Sequence, residues 1–313
     1  MGELQWISIG KLAKASGFAV ERIRMWELRY GAPASHRLAS GHRRYNVEEV
    51  ERLHLVREAL ARGKRPRHVV ALKREALLQL LGASDPTGLA ARYRAPQEIP
   101  GRLPWTAKAW IEAVGKMDDA LLDRQLYEHW LELGSLNFLV ERAQPFAAAL
   151  ALSRQSGDLG VAEERFGSEK LGDFLSSIWR RLNENNADQP VLLSTFPEDQ
   201  RSLDLQMTAL VAALAGLHVI YLGPAAPLDD LISAAQRQKA KAVLLTVSAG
   251  SDPQVSVRHL AYLRVGLPPE VLLGVGGAGA PSANPDFRRF QDLPDLFQWA
   301  RTRGPGRPAP GLR

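Results

Sequence analysis

The chain has 313 residues, no cysteine, and 40 Lys and Arg against 34 Asp and Glu. That length allows two or three domains with proper cores, and the missing cysteine removes disulfides, thiolate metal sites and thiol nucleophiles, which suits a reducing cytoplasm. No apolar run is long enough to span a bilayer, and the opening MGELQWISIG does not read as a signal peptide. The charge is uneven: residues 1–80 hold 4 Lys and 12 Arg against 8 Glu, a net of +8, so the +6 total leaves −2 for the rest. A basic head on a near-neutral body implies an anionic partner for the head, with nucleic acid the first candidate.

Ile9, Leu12 and Ala13 share one face of a first helix. Gly17 tolerates positive φ, Phe18 plugs the turn, and Val20, Ile23, Trp26 and Glu27 follow at helical spacing. Two short helices around a glycine turn make a helix-turn-helix. The second helix carries Glu21, Arg22, Arg24 and Arg29 outward, and the loop beyond Tyr30-Gly31 holds His36, Arg37, His42, Arg43 and Arg44. Planar, permanently charged arginines suit phosphate oxygens and the guanine edge. A solvated amphipathic helix with a basic turn is the plainer reading of the charges alone.

The order of residues resembles the winged helix-turn-helix of MerR-type transcription regulators over residues 6–80. Ile9-Gly10-Lys11-Leu12-Ala13, Gly17, Ile23-Arg24-Met25-Trp26-Glu27, Arg29-Tyr30-Gly31 and Gly41-His42-Arg43-Arg44-Tyr45 carry the match. The resemblance implies double-stranded DNA as partner: Arg24, Arg43 and Tyr45 would touch backbone and Arg22 would face bases. Lys11, Arg29, His42 and Arg44 complete the expected contact set. Ala19 stands where the family has Ser or Thr, so the second helix lacks a side-chain N-cap, a local loss of about 1 kcal/mol.

Asn46-Val47-Glu48-Glu49 reads as a capping box before a helix with Val50, Leu53, Val56 and Leu60 on one face. Pro66 opens a separate helix. It prevents one long helix of the kind that zips many MerR-type proteins into dimers, so self-association is expected through the C-terminal half. Residues 82–104, with four prolines and three glycines, read as a flexible tether on which the head can swing. From 105 to 187 four helices with short joints read as a bundle, with Thr106 and Asp118 as N-caps. From 188 to 303 the buried-strand runs at 190–196, 218–222, 242–247 and 271–275 alternate with helices at 203–215, 228–237 and 294–301. That is a doubly wound, flavodoxin-like parallel sheet. The head then spans 1–81, and the tail 304–313 reads as disordered.

This body resembles the cobalamin-binding module of light-sensing MerR-type repressors of the CarH and LitR kind. The carrying residues are those from Gly157 to Phe166, Tyr221-Leu222-Gly223-Pro224, Ala242-Val243-Leu244-Leu245 and Gly276-Gly277. In that family a Trp, nine residues, then Glu-His frame the upper corrin face; here the spacing gives Arg154 and Glu164-Arg165. The lower axial His is replaced by Arg201, which has no lone pair to give cobalt, and a Gly three residues on is Asp204. Arg154, Glu164, Arg165, Arg201, Ser248, Gly276 and Gly277 thus form a degenerate cobalamin site. The expectation is a DNA-binding regulator, most simply a repressor, with the module's fold kept and its light-sensitive adenosylcobalamin chemistry lost. The alternatives are cobalamin held by its own dimethylbenzimidazole, another tetrapyrrole such as a bilin or haem, or a protein partner. No catalytic set and no metal site is assigned. Ser248, Asp252 and His259 lack a nucleophile elbow, Trp130 looks like core, His218 looks structural, and Gly274 to Gly279 follow the wrong strand for a dinucleotide fingerprint.

Overall fold

The computed structural model describes residues 6–38, 41–82, 107–184, 186, 190–282 and 284–302. Most of the segment expected as a tether, Thr106 and the tail lie outside the described residues.

The head begins with β1 (Trp6–Ile7), α1 (Ile9–Ser16) and α2 (Val20–Tyr30). Ser8 caps α1 by accepting from the Lys11 N–H, and Gly17 ends it at φ +73°. Ala19 offers α2 no side-chain cap. Packing holds this start instead: Ile23 and Trp26 are buried, with Phe18 edge-on to Trp26 at 4.7 Å between centroids. β2 (Ser35–Arg37) and β3 (Arg43–Asn46) complete an antiparallel sheet ordered β1-β3-β2. α3 (Glu48–Ala61), α4 (Pro66–Val69) and α5 (Arg74–Gly82) follow. The capping box forms by half: Asn46 accepts from the Glu48 N–H at 3.0 Å, but Glu49 turns along the helix to Arg52 at 2.7 Å.

The helical layer holds α6 (Lys108–Gly115), α7 (Asp119–Leu133), α8 (Ser135–Phe138), a π-helical turn (Leu139–Ala143), α9 (Gln144–Ser156) and α10 (Val161–Asn183). Asp118 caps α7 by accepting from the Leu121 N–H. Trp110 is fully buried at the centre, with Phe146 and His129 edge-on at 5.0 and 5.4 Å.

The head is seated on this layer, which corrects the expectation that it swings. Glu51 of α3 is buried and accepts from both the N–H (2.9 Å) and the hydroxyl of Ser135, whose Oγ also takes the Trp130 indole N–H at 2.8 Å. The His54 ring lies so close over Gly134 that a Cβ there would meet Nδ1 at 2.4 Å. Arg74 of α5 donates to the carbonyls of Ala213 and Leu214, both at 2.7 Å, and to Asn186 at 3.3 Å. Glu48 lies 4.0 Å from Arg181. One apolar core runs from Leu12 and Leu53 through Trp130 to Leu210.

The body's sheet is β4 (Pro190–Thr195), β5 (His218–Gly223), β6 (Ala242–Thr246), β7 (Leu272–Gly276) and β8 (Arg288–Arg289), all parallel, in the order β5-β4-β6-β7-β8. Counted within the domain this is 2-1-3-4-5, the flavodoxin-like order. Alternation sorts the side chains: Val191, Leu193 and Leu244 face α11 (Leu203–Leu214) and α14 (Leu293–Thr302), while Leu192, Val243 and Leu245 face α12 (Leu228–Arg237) and α13 (Pro253–Gly266). The helix α13 and the edge strand β8 have no counterpart in the sequence reading.

Candidate functional site

On the head, α2 presents Arg22, Arg24 and Arg29 to solvent, and α1 presents Lys11. His42 and Arg43 are exposed on the hairpin, and Arg44 is half-buried. Glu27, on the inner edge of α2, organises the arrangement. One carboxylate oxygen accepts from the Ser35 hydroxyl and pairs with Arg43 at 3.1 Å, and the other accepts from the Tyr45 hydroxyl at 3.1 Å. A single acid thus fixes both hairpin strands to the helix. Tyr45 corrects the sequence reading: its ring is wholly buried, and its hydroxyl is committed to Glu27 rather than open to a phosphate. Burial, with Glu27 alongside, pushes its pKa up to about 12. Glu27 was legible as a motif residue, but its clamping role was not.

The body holds a cleft of about 870 Å³ between α9 and α10 on one side and, on the other, the carboxyl ends of β6 and β7 with the loop after β4 and the start of α11. In an open α/β sheet this is where ligands bind, at the reversal of strand order. Glu164, Arg165, Arg201, Ser248, Gly276 and Gly277 all line it. Arg154 does not: it is exposed on the last turn of α9, since chain spacing alone does not fix which way a helix end faces. Arg289, Phe290 and Gln144 also line the cleft, and sequence reasoning missed them.

Asp199, behind the lining, braces two of the loops that form it. Buried, it accepts from the Ser248 N–H at 3.0 Å and the Arg201 N–H at 3.1 Å, tying the loops after β4 and β6 together. The Arg201 guanidinium remains about two-thirds exposed, 3.8 Å from Asp199. Asp204 opens into the cleft yet lies deep among protein atoms; that burial holds its carboxyl above the usual range, against the pull of Arg201 and with help from Asp199. No histidine is among the residues lining the cleft.

The glycines after β7 serve packing. A Cβ on Gly277, at φ +97°, would sit 2.4 Å from the Val247 carbonyl oxygen, and one on Gly279 would sit 2.1 Å from that of Ser248. Other groups set aside in the sequence also have structural places. Asp252 caps α13, His259 lies tilted against the Phe196 ring at 5.2 Å between centroids and 3.6 Å from Glu198, and His218 bonds the Asn186 carbonyl at 2.6 Å.

Residues 7–75 match the MerR HTH family regulatory protein model. The chain is 28% identical over 271 residues to the HTH-type transcriptional repressor CarH of Myxococcus xanthus, covering 86% of this chain and 88% of that one. Similar solved structures include a Methanosarcina barkeri monomethylamine corrinoid protein (TM-score 0.49, 13% identity, 62% of this chain and 95% of that chain). Another is a cobalamin-binding protein from Desulfitobacterium hafniense (TM-score 0.31, 14% identity, 61% and 94%). The chain therefore opens with a MerR-type helix-turn-helix domain, and its likeness to a transcriptional repressor extends through most of the length behind it.

Proposed function

We propose that the protein is a sequence-specific DNA-binding transcriptional repressor. Its second helix enters a major groove while the β2–β3 hairpin, as a wing, lays Arg43 and Arg44 along the backbone. The observation that carries this reading is the Glu27 clamp, which holds a basic hairpin rigidly beside a helix with three outward arginines. Tyr45 acts from within, by positioning. The C-terminal half brings heads together, since linked heads gain effective concentration over a single weak one. In a gel-shift titration, binding weakens steeply with salt, with a slope of about −0.9 per phosphate neutralised, and Arg24→Ala loses most of it. Unchanged affinity in that variant removes the docking model.

For the body we propose a corrinoid-type module without adenosylcobalamin chemistry. The residues present do not fit a His-ligated corrinoid: the cleft is lined by no imidazole, and Arg201 has no lone pair for cobalt. A second reading is favoured by the persistence of a cleft this large: it holds a different chromophore, or cobalamin with its own base as lower ligand. A visible absorption spectrum of the purified protein, with and without added adenosylcobalamin and light, separates the two. Light-sensitive corrinoid bands that co-elute with the protein overturn the first.

A further inference from the structure

We propose that Met25 and Leu28, on the crest of α2, read thymine methyl groups on the floor of the major groove. The inference rests on the DNA-binding reading above and names what that helix recognises. The inward side of α2 is fixed by Ile23 and Trp26, 0% and 2% exposed. At about 100° per residue, the opposite ridge is Glu21–Met25–Leu28, with Arg24 on one flank and Arg22 and Arg29 on the other. Leu28 is 90% exposed and Met25 45%, so neither packs the fold well.

A helix lying in the groove turns its ridge to the base edges and its flanks to the phosphate walls. Arginines on both flanks match those walls in charge, which gives Arg22 to the backbone rather than to the bases the resemblance assigned it. The ridge is left to the floor, where leucine and methionine can form no strong hydrogen bond. The apolar group that floor displays is the thymine C5-methyl. Glu21, on the same ridge one turn earlier, can only accept, which suits the exocyclic amine of a neighbouring cytosine or adenine. A protein partner seated on the ridge would have to bury or answer three arginines; duplex DNA answers them with its own charge.

The test begins with duplexes selected from a random library by the full-length chain. Each thymine of the selected sequence is then replaced in turn by deoxyuridine, which removes only the methyl, and Kd is measured by fluorescence anisotropy. For one or two thymines the wild type loses about fourfold, the factor expected for one buried methyl group. Leu28→Ala, or Met25→Ala at its own position, loses as much on the thymine duplex and shows no further loss with uracil. Leu28→Ala removes an exposed side chain, so its thermal midpoint stays at the wild-type value. Uracil that costs the wild type nothing at any position, or costs wild type and both variants equally, overturns the proposal while leaving DNA binding in place. A selection that enriches no sequence overturns the repressor reading and this one together.

Discussion

Arg74 offers the sharpest test of how the head is held. Its guanidinium donates to the carbonyls of Ala213 and Leu214 and to the Asn186 side chain. The two carbonyls belong to the last turn of α11, where the helix leaves acceptors without internal partners. Arg74→Leu removes all three bonds. Ala213 keeps the Asn186 amide as donor at 3.0 Å, so of the two carbonyls Leu214 is the one left short. One orphaned acceptor and the loss of two charge-assisted bonds, offset in part by the desolvation cost that the buried guanidinium no longer bears, leave a net loss of about 3 kcal/mol. That lowers the ratio of seated to released head by roughly two orders of magnitude. Amide hydrogen exchange reads this directly: peptides from α3 and from residues 130–138 exchange about a hundredfold faster, while those from β4 and β6 do not change. Unaltered protection in α3 refutes the reasoning and makes Arg74 a helix cap and nothing more.

Tyr45 gives a pH signature. Its folded-state pKa lies near 12, above the ordinary phenol value of 10, so the stability it contributes is intact below pH 10. That stability falls as pH rises from 10 towards 12; alkaline melts followed by circular dichroism show the fall in the wild type, and Tyr45→Phe loses the Tyr45 share of it while keeping that of the buried Tyr127 and Tyr221. The glycines after β7 make a paired test. Gly277→Ala drives a Cβ to 2.4 Å from a backbone oxygen at positive φ and costs upward of about 2 kcal/mol in thermal melts, whereas at Gly276 the nearest atom, the Phe290 Cβ, is 3.9 Å away and alanine is tolerated.

What could be read in advance was whatever repeats locally. The helix-turn-helix showed in fixed residue types at fixed steps, and β4 to β7 in short apolar runs. The helix α13 hid because apolar residues point both ways from it: Leu260 and Leu263 are buried, while Val257 and Val265 stand 45% and 89% exposed. The strand β8 is two arginines, with no pattern to find. The seat of the head was hidden for another reason. Glu51, His54 and Arg74 look like ordinary surface residues of amphipathic helices, and their partners lie up to 140 residues away. Tyr45 misled because its neighbours are arginines, and charge along the chain says nothing of which face a strand turns inward. Of the residues expected at the cleft, those on the first turn of α10 and after β4, β6 and β7 do line it, whereas the place of Arg154 depended on the turn of one helix, and Gln144, Arg289 and Phe290 sit in stretches with no pattern to mark them.

The geometry of α11 has a mechanical corollary. Its first turns, at Leu203, Asp204 and Met207, form part of the cleft wall, and its final carbonyls are the ones Arg74 grasps. Its 12 residues make a rod of roughly 18 Å. Beside it α10 does the same over 23 residues, from Glu164 at the cavity to Arg181 near Glu48. Close-packed helices slide or tilt as wholes rather than absorb a push along their length. Whatever molecule wedges into that cavity leans on two struts whose far ends carry the DNA reader.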